Sequence, residues 1–368
     1  MGSQSDSRHQ VPGGLYWKTR LVTGTRPFWA WLGRLESRIL RDEIEATAIT
    51  QPIYVTALAR SGTTIVTELL HAHPATTAHH YADFPLVDIP FWRNWLHART
   101  RVAVPQAVER AHGDRILVTE DSPEAVEELL WMAAFPRLHD PRTSQLLGPE
   151  QRNVAFDSVY RDHIRKLLLV RGAQRYVAKG NYNISRLRYL LDLFPDARFI
   201  VPVRHPVNHI ASLAKQHRFF SAGQEHNPRI RLQLAASGHF EFGQDRRAVH
   251  LGDEERARAI REAWSQGQDI RGWALYWESV YSYLWALRTE DPRVADALLF
   301  VRFEDLCRDG ETWIDRIFEH AGLEPHAPTR AEFAGRLSPP DYYQPDFSSA
   351  EMELIETITG ATAARYGY

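Results

Sequence analysis

The chain has 368 residues, 44% hydrophobic and 24% charged, proportions that exclude disorder, collagen and coiled coil as descriptions of the whole. Its 44 Lys and Arg against 46 Asp and Glu give a formal net charge of −2, which argues against a nucleic-acid coat. The one cysteine, Cys307, excludes an internal disulfide and a cysteine-cluster zinc site, and fits a reducing, cytoplasmic setting. No segment approaches the roughly 20 apolar residues of a membrane span. The opening MGSQSDSRHQ lacks the apolar run of a secretory signal.

In chain order, residues 1–14 read as disordered. Residues 15–49 read as a helical segment rich in aromatics, with Trp17, Phe28, Trp29 and Trp31. A packed helix and an interfacial amphipathic helix are the two readings; charges of mixed sign favour packing and leave peripheral membrane contact as the alternative. PIYVTALA (52–59) reads as a buried strand, followed by a tight Ser-Gly turn and a helix over 63–73 that stops before Pro74. Residues 74–90 read as a loop. Near 121–134 a helix is expected, with Asp121 as cap, Pro123 in the first turn and Glu124 completing a capping box. Then come a helix near 155–170, a strand at 176–178, a helix near 184–194 and the strand RFIVPV (198–203). A helix runs from Pro206 to about His217, and residues 218–250 resist assignment. Helices near 253–266 and 273–288, the strand ALLFVRF (297–303) and a helix over 311–322 complete the pattern, with loop and a short helix after Pro339.

Strands alternating with helices imply an α/β domain with a parallel sheet covered on both faces. Ligands bind such sheets beyond the carboxyl ends of the strands. Chemistry is therefore expected at Arg60–Thr64, Lys179–Asn183, Arg204–Pro206 and Phe303–Asp305. The first of these sits between a strand and a helix. Backbone N–H groups there bind phosphate, Gly62 permits close approach, and Arg60, Ser61, Thr63 and Thr64 add donors. Against the pattern G-x-x-x-x-G-K-[ST], Ala57 replaces the first glycine and Thr63 the lysine, so the chemistry is not that of ATP hydrolysis. An ordinary Ser-Gly turn is the alternative. At the second strand end, Arg204 precedes Ser212 by eight positions, a pair suited to another phosphate or, separately, to a surface arginine and a helix serine. Only Lys18, Lys166, Lys179 and Lys215 are lysine among the 44 basic residues, which singles out Lys179 and suggests a GC-rich, bacterial genome.

Together these motifs resemble the sulfotransferases that use 3′-phosphoadenosine 5′-phosphosulfate (PAPS). ARSGTTIVTELL (59–70) is similar to that family's 5′-phosphosulfate loop, and Arg204 with Ser212 to its 3′-phosphate motif. Residues 176–204 resemble the lead-in to that arginine, and VRFEDL (301–306) a later strand end. The resemblance runs over about 50–325, with 75–150 and 217–270 weakly matched, and is nearer the protein-tyrosine and carbohydrate branch than the cytosolic small-molecule one. It implies a single sulfotransferase domain over 50–368 with a P-loop-kinase-like parallel sheet. It also implies transfer from PAPS to a hydroxyl acceptor without a metal, giving a sulfate ester and 3′,5′-adenosine bisphosphate (PAP). Arg60, Ser61, Gly62, Thr63 and Thr64 would then meet the 5′-phosphosulfate, Arg204 and Ser212 the 3′-phosphate, and Lys179 the sulfuryl group. Asn181 stands where the small-molecule branch has a histidine base, so the base is sought in AHHYADFP (78–85), at His79, His80 or Asp83. Arg336 is a candidate further phosphate contact, and residues 217–250 a candidate acceptor lid. A small molecule, lipid or glycan is the expected acceptor; a noncatalytic nucleotide-binding protein and a P-loop kinase are the alternatives.

Overall fold

The β-branched and aromatic runs become strands because their alternating side chains are covered on both sides. The computed structural model describes residues 11–100, 107–109, 117–338 and 345–368. Its strands are β1 (Ile53–Val55), β2 (Thr76–Ala78), β3 (Val108–Glu109), β4 (Leu117–Val118), β5 (Arg175–Lys179), β6 (Arg198–Val203) and β7 (Leu298–Arg302). Five form one sheet in the order β2-β5-β1-β6-β7, and every pairing in it is parallel. β3 and β4 form a separate antiparallel pair. In β1, Ile53 and Val55 pack with Val66, Leu69, Ile200 and Phe318 on one face, while Tyr54 packs with Phe199 and Tyr160 on the other. This is the period-two alternation of a strand between two helical layers.

Local chemistry sets the helix ends. Gly62, at φ 109°, opens helix Thr63–His71. The Asn153 side chain accepts from Phe156 N–H to start helix Val154–Arg171, and left-handed Gly172 ends it. Ser348 and Glu351 form a capping box for helix Ser349–Arg365, a longer terminal helix than the sequence suggests.

Several expectations are revised. The strand expected over 52–59 has only three residues, because the chain turns at once into the Arg60 loop. The loop expected at 74–90 contains the edge strand β2. The helix expected from Asp121 begins at Glu128. Backbone groups of 120–124 are instead taken by the neighbouring segment: Tyr81 N donates to Ser122 O, Ala82 N to Glu120 O, and Glu124 N to His79 O. Glu124 therefore caps nothing. Helix Pro206–His226 runs past His217, and helix Pro228–Ala236 follows it. Residues 15–49 form three helices, Gly13–Gly24, Arg26–Ile39 and Arg41–Ala46. The first begins inside the stretch expected to be disordered; residues 1–10 of that stretch lie outside the described residues.

Candidate active site

The strand order creates the site. From β1 the chain moves to β2 on one side, returns through β5, then crosses to β6 on the other side of β1. Connections that leave in opposite directions open a crevice at the carboxyl ends of the strands. β5, β1 and β6 deliver to it Lys179, the loop 56–62 and Arg204 respectively.

The loop after β1 is held in an unusual shape. Arg60 has φ 71°, a left-handed conformation that costs a non-glycine residue about 1–3 kcal/mol. Gly62 cannot be replaced without movement, because a Cβ there would lie 2.6 Å from a Phe303 ring carbon. His209, fully buried, holds the loop from below, its Nε2 lying 2.8 Å from the Ala59 carbonyl oxygen. Burial pushes its pKa down to about 3, so the ring is neutral and donates. Helix Thr63–His71 then starts with no side-chain cap, and its first residues, Thr63 and Thr64, line the cleft. The N–H groups and dipole of a helix terminus favour an anion.

The second motif meets the first. Arg60 Nε donates to Ser212 Oγ at 3.3 Å, and Arg204 Nη1 donates to the Arg60 carbonyl at 3.4 Å. The Arg204 guanidinium lies 5.6 Å from the centre of the Phe303 ring. Its strand end is fastened behind. His205 N donates to Glu304 Oε1 at 3.0 Å, and the Tyr368 hydroxyl lies 2.5 Å from Glu304 Oε2 and 2.9 Å from the Val203 carbonyl oxygen.

Beside Arg60 and the start of helix Thr63–His71 lies an open cleft, and Lys179 and Glu124 face each other in its wall. Lys179 Nζ is 3.4 Å from Glu124 Oε1, and neither side chain is more than 14% exposed. Burial raises the Glu124 pKa. Lys179, His239, the Tyr81 hydroxyl and the Ala125 N–H together outweigh it and hold the carboxyl well below its usual range. Glu124 is thus an aimed carboxylate. A second carboxylate, Glu241, accepts from Asn181 Nδ2 at 3.0 Å and lies 3.6 Å from His239 Nδ1. The apolar part of the lining is Ala59, Ala125, Leu234 and the rings of Phe220 and Phe242, stacked at 6.0 Å.

A parallel sheet with an uncapped helix at the switch point, two arginines and a lysine–glutamate pair narrows the choice of family. The family model described as "Sulfotransferase family" matches residues 52–251. The chain belongs to the sulfotransferase family. A comparison with curated proteins finds no match. Among solved structures, the sulfotransferase resembles STF1 of Mycobacterium tuberculosis H37Rv, at 18% identity over 90% of this chain and 81% of that one, with a TM-score of 0.48. It is similar to STF9 of Mycobacterium avium, at 17% identity over the same shares and with the same TM-score. It also resembles a sulfotransferase of Alicyclobacillus acidocaldarius, at 14% identity over 85% and 97%, with a TM-score of 0.36.

Within the sulfotransferase, the candidate bases near residue 80 stand apart from the cleft lining. His79 and Asp83 are each 2% exposed and belong to a closed network. His79 Nδ1 is 3.3 Å from Asp83 Oδ2, and its Nε2 is 2.9 Å from His163 Nε2. Asp83 further accepts from Arg171 Nη2 at 2.7 Å, His80 N at 2.8 Å and Asn94 Nδ2 at 2.9 Å. Burial raises its pKa, and the bonds from His79 and the charge of Arg171 more than reverse that. His80 packs edge-on to His71, and burial and Arg171 push it far down. Arg336 binds Glu68 at 2.6 Å and Glu332 on the surface, so its guanidinium is committed there. Residues 217–250 do reach the cleft, through Phe220, Leu234, His239, Glu241 and Phe242. The sequence reads Glu124 only as a cap, and it does not single out His239 and Glu241. A usable signal was present: glutamates in the apolar stretch EAVEELLW (124–131) need cationic or donor partners if that stretch is buried.

Proposed function

We propose that this sulfotransferase moves the sulfuryl group of PAPS to a hydroxyl of an amphipathic acceptor, leaving PAP and a sulfate ester. One observation carries the reading: Arg60, Lys179 and Arg204 come from the ends of three adjacent central strands, and Lys179 is paired with a carboxylate in the same cleft. The cations and hydroxyls of this donor set suit the two anionic ends of that nucleotide. Arg60, Ser61, Gly62, Thr63 and Thr64 supply cation, hydroxyls and the helix terminus for the 5′ end, and Arg204 and Ser212 serve the 3′ end.

PAPS supplies the activated sulfuryl group. The S–O bond to its phosphate breaks as a bond to the acceptor oxygen forms, and the hydroxyl proton must leave. Lys179 is suited to developing charge on the sulfuryl and leaving oxygens. Glu124, ionised and fixed by Ala125 N–H at 2.7 Å, is suited to take the proton. An anion in the cleft competes for the Lys179 ammonium, which returns basicity to Glu124. In this reading Glu124 takes the role first sought at His79, His80 or Asp83. The Phe220–Phe242 stack and Leu234 suit the apolar part of an acceptor, while Asn181, His239 and Glu241 suit its polar part.

Calorimetric titration with PAP, beside magnesium-ATP, tests the donor. Micromolar PAP binding that Arg204→Ala abolishes, followed by turnover of radiolabelled PAPS that Glu124→Gln suppresses, is the expected result. Preference for magnesium-ATP would favour a kinase. PAP binding with no transfer to any hydroxyl acceptor would favour a noncatalytic nucleotide-binding protein.

A further inference from the structure

The chain's N-terminal helices bury one side and leave an aromatic, cationic side open. Helices Gly13–Gly24 and Arg26–Ile39 place Val22, Gly33 and Glu36 inside. Yet Trp17 is 65% exposed, Leu21 64%, Phe28 52% and Trp31 51%. Trp17 and Leu21 are one helical turn apart, and Phe28 and Trp31 stack at 6.0 Å. Helix Pro90–Thr100 packs alongside, tied by Trp92 N to Glu36 Oε1 at 2.6 Å, and adds exposed Trp95 and Leu96. Of the large hydrophobics exposed among the described residues, eight of thirteen lie on these three helices, including all three exposed tryptophans. Chance scatter of surface apolars does not produce that concentration.

Charge gives the face its partner. Helices Gly13–Gly24 and Arg26–Ile39 carry five basic side chains, Lys18, Arg20, Arg26, Arg34 and Arg38, against one acid, Glu36, in a chain whose net charge is −2. Glu36 is itself buried and bound to Lys166 at 2.9 Å, so it does not offset them at the surface. Among the described residues, exposed Arg20, Arg34 and Arg38 make no ion pair. Arginine interleaved with tryptophan suits the headgroup zone of a bilayer, where an amphipathic ring is half solvated and cations meet anionic lipid. No described helix is long and apolar enough to cross a membrane, so the fit is to the surface.

We propose that helices Gly13–Gly24, Arg26–Ile39 and Pro90–Thr100 form a docking face for an anionic lipid bilayer. The face borders the acceptor side of the cleft. Helix Gly13–Gly24 packs on helix Pro228–Ala236 through Gln233 Nε2 to Thr19 Oγ1 at 3.1 Å and Arg229 over the Tyr16 ring. That second helix turns Leu234 into the cleft and leaves Leu232 exposed. Docking would thus hold the cleft wall against the lipid surface; this last consequence rests on the proposed function, the docking itself does not.

Flotation of the whole protein with phosphatidylcholine vesicles, with and without phosphatidylglycerol, tests the proposal. The protein should float with the anionic vesicles, and added salt should reduce it. Trp17→Glu with Trp31→Glu, and separately Arg34→Glu with Arg38→Glu, should lower the bound fraction about tenfold or more. PAP titration of the same variants should match the wild type, which separates lost docking from lost fold and from failure of the donor reading. Wild type that stays at the bottom of the gradient with anionic vesicles overturns the proposal. So does equal flotation with neutral vesicles, flotation unchanged in both double variants, or a concentration-dependent dimer that the tryptophan substitutions disperse without any lipid binding.

Discussion

Two carboxylates in this molecule are fixed by cations, and their surroundings make them opposite in kind. Asp83 is closed in by Arg171, His79, the His80 amide and Asn94, with no room for a further partner. Glu124 is held by Lys179, His239, the Tyr81 hydroxyl and the Ala125 N–H, yet lines an open cleft. Both are held below their usual pKa against the effect of burial. A perturbed carboxylate is therefore no guide to chemistry by itself; the space beside it decides.

The sharpest way to break that contrast is to neutralise each acid in turn. Glu124→Gln should cut turnover about 10²–10⁴-fold and leave PAP affinity near wild type. Asp83→Ala should instead strip about 3–5 kcal/mol from stability, read by urea unfolding, with turnover of the folded enzyme within a few-fold. The opposite pattern in this pair of variants would exchange the roles assigned to them. A smaller effect is expected at Gly62→Ala. Its φ of 109° and the contact with Phe303 should cost about 1–3 kcal/mol, seen as a lower melting temperature together with weaker PAP binding. Unchanged PAP affinity would mean that the loop's shape does not matter to the anion.

The smallest effect belongs to His239. Burial lowers its pKa, but Glu241, by hydrogen bond and charge, and Glu124 raise it above the ordinary 6.5. A raised folded value means that protonation favours the folded state. The contribution is complete below the unfolded value and fades as pH rises through the folded one. Melting temperature should therefore decline on the alkaline side of 6.5, and His239→Gln should flatten that decline. A parallel decline in wild type and variant would remove His239 from the account.

Much of the donor side of this site was legible because it rests on local sequence. RFIVPV is β6 to the residue, and a strand end followed by Ser-Gly and a helix can do little but present N–H groups. Parallel pairing then carries Lys179 and Arg204 to either side of β1, so Arg60, Arg204 and Ser212 meet. The acceptor side depends on tertiary competition. The pattern Asp121…Glu124 describes a capping box only if a helix starts there, and the backbone of 79–82 claims those hydrogen bonds first. His79 and His80 follow β2, and the sequence does not say that His163 and Asp83 close around the first of them. His239 and Glu241 lie in an irregular stretch with neither period, so only the packing of Phe220 and Phe242 reveals their direction.

The fastening of Arg204 carries a consequence for the order of assembly. Val203 and Tyr368 are 165 positions apart, yet the tyrosine hydroxyl closes the back of that strand end and steadies Glu304 behind His205. Such a distant contact forms late, after the closure entropy of a long loop has been overcome. The sheet can thus be complete while the Arg204 end of β6 is still loose. Hydrogen exchange at His205, whose N–H binds Glu304, should then follow the docking of helix Ser349–Arg365 and not the formation of β6, so that the molecule becomes a folded protein before this corner of its cleft is finished.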